Sequence, residues 1–340
     1  MKVQKIPVVF AVDNNYRIPF CVVLDSLLSN ADGQTFYEIF LLCGDELSDI
    51  FKTQIDKVIN QYKNCSFTKV YVDKSFVNDA KSQLAYISDT TFYRLFIMEL
   101  LPQFEKILYL DSDIIIMSDL GKLFNWNLGS AYIAAVEDFD VQQANLHNQA
   151  YLKQLERKEW EGYINAGVLL MNLKRMREDD LEKNFKEKIR NNYPLGDQDI
   201  LNICCKGYIC YLPLRYNLKA RYYENFELLQ LYDKRGITKK EECLSPSVLH
   251  FVGNNVKPWE NRRCKGAQIW WQHAKNALEE TEYIKALNYV RTREKISSWD
   301  TIETWCSQQK VLTIFGASFI GKRLIQYLKK AGAKNLKYIC

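Results

Sequence analysis

Apolar and polar positions along the first third of the chain fall into two alternating kinds of block. IPVVFAV, YEIFLLC and SFTKVYV are short apolar-rich runs bounded by polar residues, and they read as strands. Between them, YRIPFCVVLDSLLSN and LSDIFKTQIDKVINQY carry apolar residues at helical spacing, the second opening at Ser48 as an N-cap. DTTFYRLFIMELLP is expected to be a helix with Phe92, Leu95 and Phe96 on one face, stopped by Pro102. The strand KILYL follows, then AYIAAVED and INAGVLLMNL as further strands, and a charged helix around residues 178 to 192. This alternation predicts an α/β fold with a largely parallel sheet. Ligands in such sheets bind beyond the C-terminal strand ends. Asp13, Asp111 and Asp138 each follow a strand-like run, so they are expected to converge on one edge.

The stretch KILYLDSDIIIMSDL breaks the pattern. Asp111 and Asp113 interrupt apolar sequence, and carboxylates are costly to bury without a partner. In a regular strand they would face opposite sides, so binding one cation requires the backbone to turn between them. D-x-D alone also fits a loop or a helix-capping acid. A D-x-D-x-T phosphatase motif fits less well, because position 115 is Ile. The chain has three histidines, His147, His250 and His273, and His250 lies in SVLHFVGNNVKPW, after a short apolar run. Alone it reads as a core or loop residue. If it joined the two aspartates, the oxygen-and-nitrogen set would suit Mn²⁺, with Mg²⁺ the poorer match. Gly253 would let backbone approach a phosphate, and Lys257 would supply charge.

Composition narrows the class. With 340 residues, 47% hydrophobic and 26% charged, the chain is expected to be an ordinary globular protein. No apolar stretch reaches membrane-spanning length, and the N-terminus reads as a first strand with no signal-peptide cleavage site. The ten cysteines form no C-x-x-C pair and read as reduced thiols of a cytoplasmic protein. Charge divides unevenly: residues 215–340 carry a net +11 and the preceding part a net −6. That asymmetry fits either an anionic partner or a solvated basic face.

Six motifs in order, VVFAVDNNY, ISDTTFYRL, KILYLDSDIII, YINAGVLLMNL, GDQDILN and LHFVGNNVKPW, resemble those of the family-eight retaining glycosyltransferases. That family includes bacterial lipo-oligosaccharide galactosyl- and glucosyltransferases and, more distantly, glycogenin. The resemblance runs from about residue 6 to about residue 260. It implies a GT-A nucleotide-sugar-binding fold with a mixed, mainly parallel central sheet. It also implies a UDP-hexose donor, a saccharide or glycolipid acceptor, and a divalent cation, usually Mn²⁺. By this resemblance Asp111, Asp113 and His250 are the metal ligands, with Ser112 between them grouped with the donor contacts. Asp13, Asn15 and Tyr16 look like uridine contacts, and Arg94 like the arginine that reaches the donor. Asn165, Ala166 and Gly167 resemble the segment beside the donor sugar; Asp138 resembles a carboxylate holding sugar hydroxyls. Asp197 and Gln198 resemble the pair at the reacting carbon, and Gly253 and Lys257 the phosphate clamp. Three residues separate Gly253 from Lys257 where the commoner family spacing has two, so the loop is expected to bulge.

The implied activity is retaining transfer of glucose or galactose in bacterial cell-surface polysaccharide or lipopolysaccharide-type synthesis. The alternative is a non-catalytic nucleotide-sugar-binding protein on the same fold. No nucleic-acid partner is expected. The organisation expected is a catalytic domain over 1–265, a helical extension over 266–305 and a partial Rossmann-like unit over 306–340. Trp259, Trp270, Trp271, Trp299 and Trp305, in or near the basic extension, read as core anchors or as a peripheral attachment to the inner membrane. In the last unit, Gly316 to Gly321 forms G-x-S-x-x-G, with Ser318 where a dinucleotide fingerprint has glycine. Tyr86 and the stretch RYYENFELLQLYDKRG are candidates for the acceptor surface or for ordinary packing.

Overall fold

The computed structural model describes residues 3–77, 80, 89–233, 236–253, 256–297, 312–315 and 336–339. Ten strands precede residue 251: β1 (Gln4–Ala11), β2 (Thr35–Cys43), β3 (Cys65–Tyr71), β4 (Lys106–Leu110), β5 (Ile114–Ile116), β6 (Ile133–Ala135), β7 (Val168–Asn172), β8 (Ile209–Tyr211), β9 (Leu218–Lys219) and β10 (Val248–His250). Seven of them form the central sheet in the order β3-β2-β1-β4-β7-β6-β8. Only β7 runs against its neighbours β4 and β6, so the sheet is mixed and mainly parallel, as expected. Successive side chains on a strand point to opposite faces. Ile6, Val8, Phe10, Leu108 and Leu110 therefore enter one apolar cluster, while Val9, Ile107 and Tyr109 enter the other. Both faces are covered, which explains why the strands read as nearly continuous apolar runs.

A second sheet, ordered β5-β10-β9, was not visible in the apolar pattern. Its strands are two or three residues long, too short to show a period. The buried helix Arg17–Ser29 holds one of them: the Ile116 N–H donates to Ser26 Oγ at 3.1 Å. The segment expected as one helix around Arg94 is a 3-10 helix, Asp89–Phe96, followed by a single α-turn, Ile97–Leu100. Phe92, Leu95 and Phe96 are buried as expected. The tighter winding aligns residues three apart, and Arg94 Nε donates to the Thr91 carbonyl at 2.9 Å.

Helices Ala267–Ala277 and Glu280–Ser297 occupy the described part of the C-terminal extension. Trp270 and Trp271 are buried and lie in a series of aromatic contacts, mostly edge-to-face, running from Tyr16 through Trp259 to Tyr283, so they serve as packing anchors. Further along, β11 (Leu312–Phe315) and β12 (Leu336–Ile339) pair in parallel. The Gly316–Gly321 motif, Trp299, Trp305 and Tyr86 lie outside the described residues. Among the described residues the cysteines are free thiols, and no helix is long and apolar enough to cross a membrane.

Candidate active site

The two aspartates sit where the chain leaves one sheet for the other. β4 ends at Leu110 in the central sheet, and β5 begins at Ile114 in the second. The crossing breaks strand alternation, and this brings both carboxylates to one side. Backbone bonds brace each of them: the Asp111 N–H donates to Gly167 O at 2.8 Å, and the Phe251 N–H to Asp113 O at 2.9 Å. Strand β10 runs antiparallel to β5 with His250 opposite Ile114, which places the imidazole beside Asp113. His250 Nε2 lies 3.0 Å from Asp113 Oδ1 and 3.8 Å from Asp111 Oδ2. One ligand atom from each of the three residues lies within 4.8 Å of the others.

Three further observations bear on whether a cation fits. Two carboxylates facing one imidazole nitrogen form an electron-rich set of two oxygens and one nitrogen, a borderline-hard donor set. Gly167 packs against it so closely that an added Cβ would collide with the His250 ring and lie 2.9 Å from Asp111 Oδ2. The hydroxyl of Ser112, between the aspartates, is buried without a hydrogen-bond partner. Burial opposes the charge of Asp113, but Lys257 and His250 hold its carboxyl well below the usual carboxylate range. Lys257 forms an ion pair with Asp113 and lies over the Trp259 ring. Gly253 has φ +102°, a left-handed backbone that glycine tolerates.

Arg94 joins the cluster to the helix Asp197–Cys204. It is 4% exposed, donates to Asp111 Oδ1 at 2.9 Å and to the Ala166 carbonyl at 2.7 Å, and forms an ion pair with Asp197 Oδ2 at 2.9 Å. Its guanidinium stacks 4.4 Å from the Tyr109 ring, whose hydroxyl also donates to Asp111. Burial works against the arginine's charge, yet Asp111 and Asp197 raise its affinity for the proton. Burial pushes the Asp197 carboxyl up to about 6; Arg94 opposes this and the Asp111 charge adds to it. Gln198 is oriented by the Ala166 N–H, which donates to its Oε1 at 3.0 Å.

Asp138 stands at the same sheet edge but is 1% exposed, with both oxygens engaged internally. It accepts from the Val141 N–H at 3.1 Å, from Asn165 Nδ2 at 3.0 Å and from Lys219. It therefore reaches the site through Asn165. Burial disfavours its charge, and Lys219 reverses this to hold the carboxyl below its ordinary range. Asp13 caps the short turn Asn14–Tyr16 by accepting from the Asn15 N–H at 2.8 Å. Tyr16 is 36% exposed, lies edge-on to Trp259, and is close enough to Asp111 and Asp113 to feel their charge. Asn15 is exposed beside it.

Sequence reasoning missed Asn217 and Lys219, which flank the cluster from β9 and the residue just before it. The signal was an amide and a lysine alternating with apolar residues in YNLKA, but their partners come from β10 and from residues 138 and 165.

Residues 7–263 match the family described as Glycosyl transferase family 8. The glycosyltransferase GlyF of Streptococcus pneumoniae is 24% identical over 310 residues, covering 90% of this chain and 70% of GlyF. A lipopolysaccharide 1,2-glucosyltransferase of Escherichia coli is 25% identical over 308 residues, covering 82% of this chain and 87% of the relative. Among solved structures, the galactosyltransferase LgtC in complex with donor and acceptor sugar analogues superposes with a TM-score of 0.67 at 27% identity. That match covers 83% of this chain and 100% of LgtC.

Proposed function

The chain belongs to glycosyl transferase family 8, and from that premise we propose a metal-dependent retaining hexosyltransferase. It moves glucose or galactose from a UDP-sugar to a hydroxyl of a saccharide or glycolipid acceptor. Lipopolysaccharide glucosyltransferases among its relatives support a role in cell-surface polysaccharide or lipopolysaccharide-type synthesis. The observation that carries the reading is the convergence of Asp111, Asp113 and His250 at the C-terminal edge of the sheet.

In this reading those three residues hold a divalent cation, and the imidazole favours Mn²⁺ over Mg²⁺. When bound, the cation supplies Lewis-acid stabilisation of the departing diphosphate. Lys257 and the Gly253 N–H add positive charge and a donor on the phosphate side. Tyr16 offers its ring face to the base, with Asp13 and Asn15 beside it, and the unpartnered Ser112 hydroxyl is available to the donor. Arg94 holds Asp111 and Asp197 in a fixed relation, so the metal ligand and the residue beside the donor sugar move as one unit. The Gln198 amide is a poor nucleophile, and Asp197 is tied to Arg94. Both facts favour front-face substitution, in which the acceptor hydroxyl enters on the side from which UDP leaves. Its proton passes to a UDP phosphate oxygen.

A panel of UDP-hexoses, assayed for hydrolysis and transfer with Mn²⁺ and with EDTA, tests the reading. Mn²⁺-dependent turnover of one or two hexoses, abolished in Asp113→Asn, is expected. Binding without turnover would favour the non-catalytic alternative, and no binding with or without Mn²⁺ would refute both. We place the activity at the cytoplasmic face of the membrane. With Trp270 and Trp271 buried, attachment there would rest on the basic C-terminal region. It should appear as salt-sensitive cosedimentation with anionic vesicles.

A further inference from the structure

The hydrogen bonds behind His250 have only one consistent direction. A backbone N–H can only donate, and an ionised carboxylate can only accept. The Gly167 N–H lies 3.0 Å from Asn165 Oδ1, and Asn165 Nδ2 lies 3.0 Å from Asp138 Oδ2. Asn165 is thus oriented from both ends, its carbonyl an acceptor and its amide a donor. Asn217 meets that carbonyl at 2.8 Å and must present its NH₂ there. Its own carbonyl oxygen then faces His250 Nδ1 at 2.8 Å, and the ring nitrogen must carry the proton. In the neutral imidazole this leaves Nε2 as a lone pair 3.0 Å from Asp113 Oδ1, two acceptors that a cation between them would satisfy. All four side chains are buried: Asp138, Asn165, Asn217 and His250 are 1%, 6%, 2% and 3% exposed, so water does not substitute freely for any link. Lys219, two residues after Asn217 and on β9, anchors the far end at Asp138.

We propose that Asn217 is a positioning residue which fixes the His250 tautomer, completing a relay Lys219–Asp138–Asn165–Asn217–His250 that makes Nε2 the metal-ligating atom. The proposal rests on the reading of Asp111, Asp113 and His250 as a cation site. The relay also couples that site to the segment Asn165–Gly167, so metal and donor sugar are held by one hydrogen-bonded unit. Outer partners of a ligating histidine typically change metal affinity by about 10–100-fold when removed. Asn217→Leu removes the acceptor, and Asn217→Asp restores an oxygen to Nδ1–H while losing the donor to Asn165, which retains the Gly167 N–H.

The test begins with the wild-type protein labelled with ¹⁵N-histidine and saturated with diamagnetic Mg²⁺, because without a cation Nε2 would donate to Asp113 Oδ1. With three histidines in the chain, the His250 signals are assigned by a His250→Gln control. The Nδ1–H tautomer is expected in this loaded state, and an Nε2–H tautomer in the loaded wild type overturns the proposal whatever the variants do. Mn²⁺ affinity is then read from the electron paramagnetic resonance signal of free Mn²⁺. Asn217→Leu should weaken binding about 10–100-fold and admit the Nε2–H tautomer, while Asn217→Asp should keep Nδ1–H and recover most of the affinity. Unchanged affinity and tautomer in Asn217→Leu overturn the proposal. If His250→Gln leaves Mn²⁺ affinity unchanged, the cation-site reading fails instead, and the tautomer result distinguishes the two failures.

Discussion

At the scale of single residues, close approach explains several identities. Gly167 has no room for a Cβ because the His250 ring and Asp111 press against it. Gly167→Ala should therefore displace two of the three ligands while leaving the sheet intact. A loss of Mn²⁺ affinity of about 10-fold or more, with an unchanged circular dichroism spectrum, is expected; wild-type affinity would refute the close-packed site. Asp197 makes a second residue-scale case. Its carboxyl is pushed up to about 6 by burial, against 3.8 for an ordinary aspartate. Below about pH 4 the acid is protonated whether folded or unfolded and carries no penalty. Between pH 4 and 6 the unfolded acid ionises while the folded one holds its proton, so a penalty builds that reaches about 3 kcal/mol by pH 6 and stays there above it. In EDTA, urea unfolding from pH 4 to pH 7 should shift the stability gap between wild type and Asp197→Asn toward the variant by about that amount. A flat gap would show that the carboxyl titrates normally. The same variant separates the mechanisms. Front-face substitution expects turnover reduced about 10–100-fold through lost positioning, with no hexose adduct on the wild-type enzyme by mass spectrometry. A covalent hexose on Asp197 would establish double displacement.

At the scale of elements, the site depends on two very short strands that meet the central sheet at its switch point. β10 is three residues long, and its register with β5 is what sets His250 beside Asp113. Leu249, fully buried, is the core side chain that seats this strand, and it fills the space where a Cβ on Gly266 would fall. Leu249→Ala should cost about 2–5 kcal/mol in unfolding free energy. It should also weaken Mn²⁺ binding, because the neighbouring His250 loses its fixed backbone. A purely thermodynamic loss with unchanged Mn²⁺ affinity would show that the register is held by other contacts. These elements also mark how far the sequence was legible. The long strands β1, β2 and β4 and the helices around residues 20 and 55 announce themselves through local apolar period. The break at Asp111-Ser112-Asp113 announces itself through misplaced charge. Asn217 and Lys219 do not, because their meaning comes from a two-residue pairing of β9 with β10 and from partners more than fifty residues earlier in the chain. The 3-10 winding around Arg94 escaped for a related reason. Its burial pattern fits either helix, and the choice is made by Arg94 reaching Asp111 and Asp197.

At the scale of the whole molecule, the C-terminal helices are held against the half of the fold that bears Asp13 and Tyr16 by polar ties laid over apolar packing. Asp25, fully buried on the helix Arg17–Ser29, accepts from Tyr62 Oη and faces His273 Nδ1, both at 2.7 Å. Nearby, Arg17 donates to Glu282 at 3.1 Å, and Lys57 donates to the Leu278 carbonyl at 2.7 Å where the helix Ala267–Ala277 ends. The helix bearing Asp25 follows the turn that carries Asp13, Asn15 and Tyr16, and it also bonds β5 through Ser26. The ties thus brace that turn from behind. Asp25→Ala leaves the partly buried Tyr62 hydroxyl and His273 ring nitrogen without their shared acceptor, at a cost of about 1 kcal/mol each because water can reach both. Because the carboxylate is remote from the reacting carbon, the expected loss is in unfolding free energy, with kcat for the UDP-hexose nearly unchanged. Any rise in KM should accompany loosening of the Tyr16 edge. Hydrogen exchange should therefore show faster opening of residues 267–277 together with residues 14–29. Faster opening of the C-terminal helix alone would mean that the two segments are braced independently.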